Sequence, residues 1–214
     1  MKKALLFIAV LAASTLSGLA QDSQKILDDL SKKAKGYTSV YAEYESQLID
    51  LKAGIDLTQE GSIKVQGEKY NIDLPDYTII SDGESLYTYE KETNTCFIDY
   101  IEDVADGSFS PSQMFTIWEH DFKHELKGEA KVGKSVAYLI NLYPNDPTDK
   151  PYHTIQLFVD KAKMEVVKIV VKGREGSDMI YNVKTFSPNA TMKSSDFTFP
   201  EADYPGVDVI DQRI

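Results

Sequence analysis

The sequence predicts an α+β fold in which antiparallel β-structure dominates. One helical pattern near the start gives way to runs that alternate apolar and polar residues, and short turn sequences separate these runs. No regular alternation of strands and helices, as in βαβ units, is present. An antiparallel sheet with two helical segments buries an apolar face when both helices lie on one side of it. No repeat or linker interrupts the pattern, so residues 21–214 are expected to form a single domain.

Residues 1–20, "MKKALLFIAVLAASTLSGLA", have the features of a secretory signal peptide. Two lysines precede an apolar run that is shorter than the ~20 residues needed to span a bilayer, and small residues lead to a cleavage site after Ala20. No cysteine follows that site, so the lipid-attachment signal of a bacterial lipoprotein is missing. We therefore expect a soluble protein, secreted across the inner membrane into the periplasm.

The composition argues against several functions. The formal net charge is −11, and it becomes −13 when Lys2 and Lys3 leave with the signal peptide. So acidic a chain is not expected to hold nucleic acid through its phosphates, and anionic bilayers should repel it. The single cysteine, Cys96, excludes an internal disulfide, and we expect it at a half-buried strand position.

The first element is an amphipathic helix over Asp22–Gly36, with Ile26, Leu27, Leu30 and Ala34 on one face. Strands with unlike faces follow, first from Val40 to Tyr44 and then around Ile63 and Val65. Hairpin turns at Asp82-Gly83 and 91–94 make residues 61–100 an antiparallel meander.

A second helix is predicted where Ser110 and Pro111 provide an N-cap and a first helical residue. Its large apolar residues are Met114, Phe115, Ile117 and Trp118, and we expect the charged stretch after it, 119–127, to be helical as well. Four more strands follow, at 136–143, 153–160, 165–172 and 179–186.

Residues 128–135, "GEAKVGKS", have the spacing of a phosphate-binding P-loop. That loop binds phosphate only between a buried strand and the N-terminus of a helix. Here a helix-like stretch precedes the motif and a strand, 136–143, follows it. The sequence therefore favours a plain turn with Lys134 in solvent, and no nucleotide is expected.

Catalytic residues are not evident. His120 and His124 have a spacing that can place two imidazoles on one helical face for zinc, with Glu119, Asp121 and Glu125 nearby. The zincin motif lacks its glutamate here, so a metal-dependent hydrolase is a distant alternative and a charged, solvated face is favoured. No cofactor and no metal are expected.

Two segments are more distinctive than the rest of the sequence: "TIISDGESLYTY" at 78–89 and "DFTFPEADYPGVDVIDQR" at 196–213. They resemble the outer-membrane lipoprotein carrier (LolA-like) family, and the order of helix, strands and second helix agrees along nearly the whole mature chain. The resemblance implies a half-open β-barrel, that is, a curved antiparallel sheet with helices covering its concave face.

The resemblance also implies a periplasmic chaperone in lipoprotein transport and outer-membrane biogenesis, which is not an enzyme. Such a carrier sequesters the acyl chains of lipoproteins in an apolar cavity. Its partners would be acylated lipoproteins, an inner-membrane lipoprotein-release ABC transporter complex and an outer-membrane acceptor. The expected acyl-binding residues of the cavity and lid are Val40, Tyr44, Ile63, Val65, Ile72, Leu74, Tyr87, Tyr89, Met114, Phe115, Ile117 and Trp118.

One position departs from the family pattern. An Arg-Pro pair often precedes the third strand in the family and is thought to latch the lid, whereas this chain has Gln66-Gly67. A carrier or sensor of another envelope lipid therefore stays open as an alternative, because one fold hosts several functions.

Overall fold

The computed structural model describes residues 22–104, 116–119, 121–148 and 150–213. Residues 22–34 form helix α1, and Ile101–Val104 form the short helix α2. Three 3-10 turns lie at Ile117–Glu119, Ser194–Phe197 and Glu201–Asp203. The strands are β1 (Val40–Asp50), β2 (Ile55–Gln66), β3 (Lys69–Asp73), β4 (Tyr77–Ser81), β5 (Ser85–Glu90), β6 (Thr95–Tyr100), β7 (Phe122–Val132), β8 (Ser135–Pro144), β9 (Tyr152–Asp160), β10 (Glu165–Gly173), β11 (Ser177–Pro188) and β12 (Asp208–Asp211).

The strands form one open 12-stranded sheet in the order β12-β6-β5-β4-β3-β2-β1-β11-β10-β9-β8-β7. The pairings of β2 to β6 and of β7 to β10 are antiparallel, and β12 adds to β6 in parallel. The predicted fold class, mostly antiparallel β-structure with few helices, is confirmed. Within the described ranges, none of the helices has the length and apolarity needed to cross a bilayer.

The described chain divides into two compact units. The first contains α1, Leu48–Ile55 and Trp118–Ile180. In it, strands β7 to β10 form a meander whose cross-strand pairs Ile140↔Leu157 and Leu142↔Ile155 are buried on one face. His124 of β7 pairs with Leu142, and its ring is hydrogen-bonded to Ser23 of α1, so α1 meets the sheet on this apolar face. The buried Ile26, Leu27 and Leu30 of α1 confirm the predicted amphipathic helix.

The second unit contains residues 36–47, 56–117 and 181–214, as far as these are described. Here β2 to β6 form the predicted antiparallel meander. The turn at Asp82-Gly83 connects β4 to β5, and residues 91–94 connect β5 to β6. Ile80 and Cys96 lie on one face of this sheet, where the chain from Ser194 to Tyr204 covers them. The Asn71 side-chain amide donates to the Asp196 carbonyl at 2.7 Å, which holds that covering segment against β3.

The expected helix over 119–127 is wrong, because Phe122–Val132 form β7, an edge strand whose exposed positions carry the charges. Charged side chains are common on edge strands, since they oppose pairing with another chain. Ile117 and Trp118 lie in a 3-10 turn. The rest of the predicted second helix, including Met114 and Phe115, lies outside the described residues, as do the signal peptide and His120.

Candidate functional site

The second unit carries a continuous apolar surface on the side of its sheet away from the covering C-terminal segment. Four buried residues form its centre: Ala42, Ile63, Val65 and Tyr70. Five more pack against them and are only partly buried: Tyr44, Ile72, Ile79, Leu86 and Phe186. We call these nine residues the apolar face.

The strand register explains why these residues meet. Ile63 pairs with Ile72, and Ile72 pairs with Ile79, so three branched side chains stand side by side across β2, β3 and β4. Cross-strand partners point to the same side of a sheet, and residues two apart along a strand do so too. Val65 and Tyr70 form the next such pair. The alternation along each strand therefore collects the apolar side chains on one surface.

Tyr44 marks one end of the apolar face. Its ring packs edge-on against Tyr181, with ring centroids 6.0 Å apart. It also lies over Gly61, where a Cβ would stand 2.9 Å from the Tyr44 hydroxyl oxygen and 3.0 Å from Leu74 Cδ2. A side chain at position 61 would therefore displace Tyr44. Burial raises the pKa of Tyr44 to about 12, so the phenol stays neutral at physiological pH.

Beside Tyr44 lies a groove of about 510 Å³. Tyr44, Leu74 and Pro75 provide apolar wall. Glu43, Glu60, Asp73, Lys91 and Lys184 line the rest with both signs of charge. Glu43, Glu60 and Asp73 directly adjoin Tyr44, Gly61 and Ile72 along their strands, so alternation places these three carboxylates on the side of the sheet opposite to the apolar face.

Six of the twelve predicted binding residues lie together. Ile63, Val65, Ile72 and Tyr44 belong to the apolar face. Val40 is buried and stands two residues before Ala42 on β1, so both side chains point to the same side of the sheet. Leu74 lies near Tyr44, since both residues would contact a Cβ at position 61.

The structure separates Tyr87 and Tyr89 from this group. Leu86 points to the apolar face, so its neighbour Tyr87 points to the opposite one, where Tyr87 and Tyr89 contact Phe199. Tyr89 also packs on Tyr204, with centroids 4.6 Å apart. The expectation that these tyrosines share a surface with Ile72 is therefore wrong. Alternation defines two faces in "SLYTYE", and the covering segment decides which face each tyrosine takes.

Sequence reasoning did not include Ala42, Tyr70, Ile79, Leu86 and Phe186 among the binding residues. Two of them could have been found from the sequence, because residues two apart on a strand point to the same face: Ala42 stands two residues from Tyr44, and Tyr70 two residues from Ile72. Ile79 and Leu86 required the pairing register of β3, β4 and β5.

Trp118 and Ile117 belong to a separate 3-10 turn, and Trp118 is part of the first unit. The Trp118 indole is buried, and its Nε1 donates a hydrogen bond to Ser31 Oγ of α1 at 2.7 Å. Next to it, Lys35 forms an ion pair with Glu119 at 2.9 Å. A groove of about 550 Å³ runs along this side of α1, with Leu27, Trp118 and Phe122 as its apolar lining.

His124 is engaged in structure. Its Nδ1 lies 3.0 Å from Ser23 Oγ and its Nε2 lies 2.9 Å from Gln24 Oε1, so both ring nitrogens contact the first turn of α1. Because His124 lies on a strand, the helical spacing on which the zinc hypothesis depended does not apply to it. Across the residues that the structure describes, no three His, Cys, Asp or Glu side chains are grouped to hold a metal ion.

The P-loop-like sequence forms a β-hairpin. Residues 128–132 end β7, Gly133 adopts a left-handed φ of 57° and Lys134 completes the turn, and Ser135 begins β8 paired with Val132. The predicted turn is confirmed, and the expected upstream helix is replaced by a strand. The motif is flanked by described strands on both sides, so it has no helix N-terminus to bind a phosphate.

Neither a protein-family model nor a curated protein matches the sequence. Solved structures do align. An uncharacterized conserved protein of Thermus thermophilus has a TM-score of 0.58 at 12% identity, over 89% of this chain and 99% of that one. The lipoprotein LppX of Mycobacterium tuberculosis has a TM-score of 0.50 at 12% identity, over 80% of this chain and 98% of that one.

A LolA superfamily protein of Nitrosomonas europaea also aligns, with a TM-score of 0.41 at 10% identity, over 82% of this chain and 97% of that one. At these identities the likeness to the Thermus thermophilus protein and to LppX establishes a shared fold and no more.

Proposed function

We propose that this protein is a periplasmic carrier that binds the acyl chains of lipoproteins and moves them from the inner to the outer membrane. The observation that carries the proposal is the apolar face, where Tyr44, Ile72, Ile79, Leu86 and Phe186 remain partly accessible. A sheet surface with this many accessible apolar groups on one side is typical of a ligand site or an interface.

The chemistry of acyl transport matches such a surface. Moving an acyl chain into water costs about 0.8 kcal/mol per methylene, so a lipoprotein does not cross an aqueous compartment unaided. Branched aliphatic and aromatic side chains replace the lipid environment without forming any bond to the chain.

No bond is made or broken in this proposal, so the protein acts as a binding protein and not as an enzyme. His124, the described histidine of the zinc hypothesis, is hydrogen-bonded through both ring nitrogens to α1. Burial raises the pKa of the Cys96 thiol to about 11, which disfavours the thiolate required of a nucleophile. The proposed partners are the inner-membrane release complex that loads the carrier and an outer-membrane acceptor that unloads it.

Ile72→Glu tests the proposal directly. Ile72 is only partly buried, so the substituted side chain can reach water in the empty protein, but bound acyl chains would have to desolvate its carboxylate. We expect the variant to fold and to lose uptake of a diacylated lipopeptide, measured by co-elution in gel filtration. Val136→Glu is the matched control, since Val136 is an exposed apolar strand residue outside the apolar face.

Normal uptake by a folded Ile72→Glu variant would contradict the assignment of this surface. The identity of the cargo is tested separately by mass spectrometry of lipids that copurify with the protein from the periplasm. A free phospholipid in place of an acylated lipoprotein would favour the alternative carrier function.

A further inference from the structure

The hairpin that joins β1 and β2 has an unusual exposure pattern. The first four residues of β2, 55–58, are exposed at successive positions. Successive residues of a strand point to opposite faces, so neither face of this arm is covered. Leu51, in the turn, is 84% exposed, and Ile55, the first residue after the turn, is 43% exposed. We call residues 51–55, Leu-Lys-Ala-Gly-Ile, the hairpin tip.

The hairpin tip is held in a defined conformation. The Asp50 carboxylate accepts hydrogen bonds from the backbone N–H groups of Lys52 and Ala53, each at 2.9 Å. Gly54 adopts a φ of 67°, a left-handed conformation that glycine takes without strain. Leu51 is therefore presented to solvent by an ordered turn, and its exposure is a property of the folded hairpin.

The charge of the hairpin tip differs from that of the rest of the chain. It contains one lysine and no acidic residue, whereas the whole chain carries a net charge of −11. The flanking acids have local partners as well: Asp50 binds the turn, and Asp56 accepts a hydrogen bond from the Gln47 side-chain amide at 2.7 Å. Two exposed branched apolar side chains thus flank a single cation.

We propose that the hairpin tip inserts Leu51 and Ile55 into the interfacial region of a zwitterionic lipid bilayer. A convex apolar projection needs a partner that deforms around it, and a fluid lipid surface does so, whereas a protein would require a matching hollow. Lys52 would extend its ammonium to the lipid phosphates while its methylenes lie along the apolar region. A zwitterionic surface carries no net charge, so it does not repel this acidic chain as an anionic bilayer would.

This inference goes beyond the proposed function, because it concerns how the protein reaches a membrane and not what it holds. Its test needs no cargo. The probe is a vesicle of phosphatidylcholine, and binding is measured by co-flotation. We expect the wild-type protein to float with the vesicles, and Leu51→Asp and Ile55→Asp each to weaken binding about tenfold or more, since each removes the transfer of a large apolar side chain. Val136→Asp, at a residue 51% exposed on β8, is the control and should bind normally.

A second measurement locates the contact. Cys96 is fully buried, so Leu51→Cys places the reactive thiol of the folded protein at the hairpin tip. A polarity-sensitive dye at position 51 should shift its emission to the blue when vesicles are added, and the same dye on Val136→Cys should not. Failure of the wild-type protein to float, flotation of both Asp variants equal to that of the wild type, or an unmoved dye at position 51 would each overturn the proposal. A change of oligomeric state in the Asp variants, without vesicle binding by the wild type, would instead identify a second copy as the occupant.

Lipopeptide uptake and vesicle flotation together distinguish a failure of this proposal from a failure of the carrier proposal. The Leu51→Asp and Ile55→Asp variants should still bind a soluble diacylated lipopeptide through the apolar face. The Ile72→Glu variant should still float with vesicles.

Discussion

The hydrogen bond between Trp118 and Ser31 allows the attachment of α1 to be tested quantitatively. Nε1 of Trp118 donates to Ser31 Oγ at 2.7 Å, and the two residues are 5% and 9% exposed. Ser31→Ala removes the acceptor with almost no change in volume and leaves a buried N–H without it. An unsatisfied buried donor costs about 1–3 kcal/mol. Alanine is the better helix former by about 0.5 kcal/mol, so the net loss of unfolding free energy should be about 0.5–2.5 kcal/mol.

For a chain of this length, 1 kcal/mol corresponds to a change of about 2–4 °C in melting temperature, so the expected decrease is about 1–10 °C. The wild type, Ser31→Ala, Trp118→Phe and the double variant form a double-mutant cycle. Calorimetry and urea denaturation measure the unfolding free energy of each protein. The cycle separates the hydrogen bond from the loss of indole packing. A Ser31→Ala variant as stable as the wild type, with no coupling to Trp118, would refute the reasoning that this bond holds α1 to the segment before β7.

Two further predictions concern charged groups. Hydrogen bonds from the Arg213 guanidinium lower the pKa of Asp211 from 3.8 to about 2, so the stabilisation from this contact should be complete above pH 4 and be lost as the pH falls through about 2. Carboxyl NMR titration should find this low pKa, and Arg213→Gln should return it towards 3.8; an equally low value in the variant would assign the shift to another group. Lys134 lies in the hairpin turn between β7 and β8, so Lys134→Ala should leave lipid uptake unchanged, and isothermal titration should detect no ATP binding by the wild type. ATP binding that disappears in the Lys134→Ala variant would contradict the hairpin interpretation.

The sequence by itself determined most of the strands and the turns between them. Period-2 alternation in segments such as "GSIKVQ" and "EVVKIVVK", with turn residues after each, is a local property that needs no partner strand to be recognised. The same holds for α1, whose apolar residues recur with helical spacing and are buried as expected. The resemblance to LolA-like proteins rested on two short segments, 78–89 and 196–213, and led to the same fold class.

Tertiary structure decided which face of each strand is covered. Tyr87 and Leu86 are equivalent in a local pattern, and they separate because Phe199 and Tyr204, more than a hundred residues later, pack over the tyrosine side. His124 could be given a helical spacing from the sequence, but the pairing of β7 with β8 places it on a strand against Ser23. The exposure of Leu51 was not predictable either, since an apolar residue is left in water only where no other element of the fold reaches it. Alternation specifies two faces, and contacts between residues distant in sequence decide which of them becomes core, ligand surface or solvent boundary.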